Sequence, residues 1–191
     1  MERIWTFAFK TRNILAAVPL IVALVAMWTE WTNDWRVWSL ALALCVAGAW
    51  LRGWARCHNT FSRKREKGLA VTGPYAFSRN PLYIANMLLL ASAGVALGNG
   101  WFLLLLIVWS FIVYSATIKH EEIRLTKRHG DLYRAYSSQV PAWLSLNLRR
   151  LTKKQVSMRD FLPVVSLQIL YGLLLLAPVV IKKFDPFSLW S

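Results

Sequence analysis

Two short stretches carry the residue types that could do chemistry: Arg79-Asn80-Pro81-Leu82-Tyr83 and the adjacent pair Glu121-Glu122. Neighbouring carboxylates can accept hydrogen bonds from a ligand's amine or sugar hydroxyls, or take up a catalytic proton. Arg79 offers a guanidinium fork to a carboxylate or another electron-rich ligand group. Asn80-Pro81 reads as a helix start, because Asn caps well and Pro at the first helical position loses no hydrogen bond. The amides there face outward with a partial positive charge, which suits an electron-rich ligand group. Each stretch also has a plainer reading. The glutamates can be a solvated pair neutralised by Arg124, Lys127 and Arg128. The Asn-Pro start can be a capped, membrane-anchored helix with a snorkelling Arg79.

The elements between these stretches decide whether they meet. An apolar run from Leu82 to Leu97 is followed by Gly98-Asn99-Gly100 and a second run from Trp101 to Ile118. So short a connection forces the two helices to be antiparallel. The start of the first then lies beside the end of the second, bringing Arg79, Asn80 and Tyr83 towards Glu121 and Glu122. Three further apolar segments, Ile14–Trp28, Val37–Trp54 and Phe161–Ile181, make five expected spans. A span needs roughly 17–25 residues, so the first and third are short. The expected fold is all-α: a polytopic membrane bundle of about five transmembrane helices, one domain over residues 1–191.

Composition agrees with a membrane protein. The chain is 57% hydrophobic and only 17% charged, and it holds 11 Trp, whose indole rings favour the headgroup boundary. Of its 23 Lys and Arg, 20 fall in residues 1–13, 52–81 and 119–160. Positive segments stay cytoplasmic, so the N-terminus and both candidate stretches are expected inside. Lys182-Lys183 sit mildly against an outside C-terminus. The net charge of +14 is explained by basic flanks drawn to anionic lipid headgroups, and not by nucleic acid. Cys45 and Cys57 are packing residues on this reading. No zinc-ligand spacing joins them to His58, His120 or His129.

The cytoplasmic part consists of a basic, turn-rich segment from His58 to Asn80 and a helical segment from Lys119 onward. His129-Gly130 reads as a helix stop, Asp131 as a new N-cap and Val140-Pro141 as the end of that helix.

Taken in order, Gly73-Pro74-Tyr75-Ala76-Phe77-Ser78-Arg79-Asn80-Pro81-Leu82-Tyr83, a hairpin, Glu121-Glu122, His129-Gly130-Asp131-Leu132-Tyr133-Arg134-Ala135-Tyr136 and Val140-Pro141 resemble the integral-membrane methyltransferases. That superfamily contains isoprenylcysteine carboxyl methyltransferases and phospholipid N-methyltransferases. The resemblance covers about Gly73 to Trp143, with Val37–Trp54 more loosely. It implies S-adenosylmethionine bound at the cytoplasmic face without a Rossmann fold, and the sequence indeed has no GxGxxG after a strand. By matching positions it implies a cofactor site lined by Tyr75, Arg79, Asn80, Pro81, Tyr83, Glu121 and Glu122. Arg79, Glu121 and Glu122 are the catalytic candidates. Many relatives have His where this chain has Asn80, and Asn cannot act as a base near neutral pH. Any proton handled there in relatives would fall to Glu121 or Glu122 here. The expected acceptor is a membrane lipid, foremost a phospholipid headgroup amine. The alternatives are carboxyl methylation of an isoprenylcysteine or another small lipophilic acceptor, whose carboxylate Arg79 or Arg56 could hold without a base, and a non-catalytic lipid-binding scaffold. Small residues at Ala91, Ser92, Ala93 and Gly94 permit close helix packing within or between chains.

Overall fold

The computed structural model describes residues 34–65, 68–144 and 170. The expected spans Ile14–Trp28 and Phe161–Ile181 lie outside the described residues. Within them the chain is helical and has no strand: α1 (Trp35–Arg65), a 3-10 turn (Gly73–Ala76), α2 (Pro81–Ala96), α3 (Gly100–His129) and α4 (Asp131–Gln139).

Two of these helices are long and apolar enough to cross a membrane, while α2 is a shorter apolar helix. Their lengths differ in a way that matters. At about 1.5 Å per residue, the 31 residues of α1 and the 30 of α3 each extend about 45 Å. The 16 residues of α2 reach only about 24 Å, against a hydrocarbon core about 30 Å thick. The start of α2 is therefore a recessed floor between two longer walls. The expected end of the second span at Trp54 marks no break. No Gly or Pro interrupts Ala55–Arg65, so α1 runs on through what the sequence suggested was a loop.

Small side chains set the contact of α1 with α2. Ala41, Cys45 and Ala49 pack with Leu89 and Ala96 in one buried cluster. A Cβ at Gly48 would lie 3.0 Å from Leu89 Cγ and 3.1 Å from the Ala85 carbonyl, so this crossing needs the absent side chain. The hairpin turn is compact: Gly98 donates to the Val95 carbonyl at 2.9 Å, and the Asn99 side chain accepts from the Phe102 amide at 3.1 Å. On α3, Leu106, Ser110, Val113, Tyr114 and Thr117 are buried. Trp101, Leu104, Leu105, Val108, Phe111 and Ile112 are exposed. The buried set recurs every three or four residues and gives one packing face, while Ile107 and Trp109 join the exposed set, so the rest of this apolar stretch is broadly exposed. Cys45 and Cys57 are free and buried.

Candidate active site

The approach to α2 is shaped before the helix begins. Gly73 sits at a φ of +61°, and a Cβ there would lie 2.5 Å from the His58 ring. Both the left-handed backbone and the buried imidazole of α1 demand glycine. The 3-10 turn that follows is closed by Tyr75 N to Thr72 O and Phe77 N to Pro74 O, each at 3.2 Å. It presents Tyr75 beneath α4, where the Tyr136 hydroxyl donates to the Tyr75 carbonyl at 2.7 Å. Burial pushes both α4 phenols up, Tyr133 to about 12 and Tyr136 further, so both keep their protons near neutrality.

Asn80 departs from expectation. It occupies the N-cap position, but its side chain makes no capping bond. Its Nδ2 donates instead to the Ala142 carbonyl at 3.0 Å, while the Arg79 amide donates to Pro141 O at 3.0 Å. Tertiary pairing with the segment after α4 has displaced the local cap, and it explains why Val140-Pro141 follows α4 where it does. A second cap also moves by one residue. Gly130, at φ 54°, closes α3 and precedes α4, and Asp131 is the first helical residue.

The antiparallel hairpin brings the two chemical stretches together. Arg79 Nη2 lies 3.0 Å from Glu122 Oε1, with both side chains largely buried (15% and 27% exposed). This is an ion pair whose geometry falls short of a hydrogen bond, and Arg79 Nε has no hydrogen-bond partner among the described residues. Beyond Ile118 the end of α3 leaves the apolar stretch. Burial there pushes the Glu122 carboxyl up from its usual range, and Arg79 and Lys119 pull it back. The glutamates do not act as equivalent neighbours. Adjacent helical residues point about 100° apart: Glu121 lines the cavity, and Glu122 holds Arg79 at its edge.

The cavity, of about 510 Å³, is lined by Tyr75, Arg79, Asn80, Pro81, Tyr83 and Glu121, all expected from the sequence. It lies within the volume range of small-molecule sites. Apart from Arg56, the sequence reading missed the rest of its wall. Tyr114 stacks on Tyr83 with ring centroids 4.9 Å apart, and Tyr133 sits against Arg79 and Glu122. From α1 come Arg52, Arg56, Asn59 and Thr60. A signal for these existed: they recur at helical spacing in a helix that is otherwise apolar up to that point.

Residues 31–131 match the profile of the phospholipid methyltransferase family, a stretch that takes in α1, the hairpin and both chemical clusters. The chain belongs to the phospholipid methyltransferase family. That match begins well before Gly73, so α1 is as much part of the family core as the hairpin is. Two curated proteins are similar to this family member. One is a nickel-cobalt-cadmium resistance protein, NccN, of Alcaligenes xylosoxydans xylosoxydans, 25% identical over 65% of this chain and 58% of its own length. The other is the protein-S-isoprenylcysteine O-methyltransferase of Schizosaccharomyces pombe, 31% identical over 56% of this chain and 48% of its own. The chain thus spans about half the length of the curated relatives it matches. No solved structure matches it. Among the described residues no three His, Cys, Asp or Glu side chains are grouped to hold a metal ion.

Proposed function

We propose that this chain is an integral-membrane, S-adenosylmethionine-dependent methyltransferase that methylates a membrane lipid, foremost a phospholipid headgroup amine of the phosphatidylethanolamine type. One observation carries the reading. Arg79, held by Glu122, and Glu121 line one cavity between two membrane-length helices, in a chain of this family. The bundle completes five spans on this reading, with the cavity at the cytoplasmic face.

The residues fit the cofactor. Arg79 Nε is a buried donor without a partner among the described residues, a cost of about 1–3 kcal/mol that a ligand carboxylate would relieve. The stacked Tyr83–Tyr114 rings offer π faces to a cationic centre. When bound, S-adenosylmethionine supplies a methyl group already electrophilic on its sulfonium. The protein's tasks are to align an acceptor at about 3–3.5 Å, exclude water and manage one proton. Glu121 faces the cavity and takes the proton released by an amine acceptor. Glu122 fixes Arg79, and Tyr133 buttresses that pair. The acceptor enters laterally from the bilayer, its headgroup at the recessed start of α2.

Carboxyl methylation is the second reading, favoured by the arginines in the cavity wall, because a carboxylate needs no base. Calorimetric titration with S-adenosylmethionine, followed by transfer of labelled methyl to phosphatidylethanolamine in bilayers, tests the proposal. Saturable binding and a base-stable product are expected, with turnover abolished in Glu121→Gln and binding lost in Arg79→Ala. A product labile to mild base would select the carboxylate reading. Absence of cofactor binding by folded protein would leave the scaffold.

A further inference from the structure

The cavity wall that comes from α1 is not accounted for by cofactor or proton transfer. Arg52, Arg56, Asn59 and Thr60 line it and recur every three or four residues, so they form one polar stripe along the helix. Arg52 lies inside the apolar stretch Trp35–Thr60. An arginine near the end of an apolar helix reaches the headgroup level, and this one also faces the cavity. It is also oriented: Arg52 Nη1 donates to Asn86 Oδ1 on α2. The whole cavity carries Arg52, Arg56, Arg79, Arg124 and Arg128 against Glu121. Its field therefore favours an anion, and a sulfonium or ammonium centre alone would not call for it.

Depth identifies the source of that anion. Trp50 is exposed and its ring lies 5.1 Å from that of Trp54. Indoles at a helix surface mark the headgroup level. Arg52 and Arg56 flank Trp54 on α1, at the level where lipid phosphates lie.

We propose that the Arg52–Arg56 stripe of α1, braced by Asn86, is a phosphate-binding subsite that grips the phosphodiester of a membrane lipid and seats its headgroup in the cavity. The proposal rests on the methyltransferase reading for the chemistry after the lipid has bound, but the grip itself can be measured alone. Arg52 and Arg56 are specificity-determining residues on this view. They select a phosphate-bearing acceptor and leave the methyl-transfer geometry to α2 and α3.

The test is binding of dioctanoyl phosphatidylethanolamine to the full chain in detergent, by native mass spectrometry, beside dioctanoylglycerol, which lacks the phosphate. Arg52→Gln and Arg56→Gln should each weaken phosphatidylethanolamine binding about tenfold or more and leave dioctanoylglycerol binding unchanged. Arg56 is exposed, so Arg56→Gln leaves the Arg52–Asn86 link in place and guards against loss of fold in the other variant. Equal binding by wild type and Arg56→Gln, or equal loss for both lipids, would overturn the proposal. Full displacement of the lipid by an equal concentration of inorganic phosphate would also overturn it, by assigning the site to free phosphate. S-adenosylmethionine affinity should be unchanged in both variants. A parallel loss would give the stripe to the cofactor's carboxylate. A wild type that binds the lipid but no S-adenosylmethionine would sink the methyltransferase reading and leave the phosphate grip standing.

Discussion

At the scale of single residues, the decisive contact is Arg79 with Glu122 at 3.0 Å. A largely buried pair is costly to break from one side, because the surviving charge stays behind. Arg79→Gln and Glu122→Gln should therefore be strongly non-additive. A double-mutant cycle by denaturant unfolding in detergent is expected to return a coupling of about 0.5–3 kcal/mol. A value near zero would mean that the pair is incidental. Tyr133 gives a pH signature beside it. Its phenol is raised from 10.0 to about 12 by burial first, then by Glu122. The unfolded chain ionises sooner, so the stability this group contributes is intact below pH 10 and is lost as pH rises towards about 12. The unfolding midpoint should fall across that window, and Tyr133→Phe should flatten part of the fall. An identical pH curve for both proteins would remove Tyr133 from the account.

At the scale of elements, the site depends on two close approaches. The crossing of α1 with α2 brings the polar stripe of α1 over the start of α2, and Gly48 permits it with contacts of 3.0–3.1 Å to where a Cβ would stand. Gly48→Val adds branched bulk against the Ala85 carbonyl and Leu88–Leu89. It is expected to cost about 1–3 kcal/mol, read as a lowered thermal midpoint. An unchanged midpoint would show that the crossing relaxes freely. The other approach is Gly73 under His58, which sets where the 3-10 turn delivers Tyr75. The clasp of Ser78–Asn80 with Pro141-Ala142 then locks α4 over the cavity.

At the scale of the molecule, unequal helix lengths create the cavity. At 31 and 30 residues, α1 and α3 are longer than a hydrocarbon core about 30 Å thick requires, and α2 at 16 is shorter. The proposed orientation rests on the charge distribution, because 20 of 23 Lys and Arg fall in the segments expected on one side. Single cysteines can check it, because the native Cys45 and Cys57 are buried. Gly100→Cys has open space at its Cβ, and Ser138 on α4 is exposed. A membrane-impermeant maleimide should label Gly100→Cys in intact cells, and Ser138→Cys only after the membrane is opened. The reverse pattern would invert the proposed topology.

The hairpin, its antiparallel sense and the meeting of Arg79 with the glutamates were legible in the sequence, because a short turn between two apolar runs leaves the chain one geometry. The turn-and-stop signals at Gly98 and Gly130 are local backbone chemistry and could be read for the same reason. What only the tertiary structure decided are relations between segments far apart in the chain. The Asn80 amide abandons its cap for the Ala142 carbonyl, since a partner 62 residues on leaves no trace in local propensity. Glu121 and Glu122 part company because adjacent helical residues diverge, and which of them faces the cavity depends on how α3 is rotated against α2. The α1 stripe was visible as a pattern, but its meaning came only when packing set Arg52 against Asn86. Local forces fix where helices begin and end, and the rotation and depth at which they pack decide which side chains share a site.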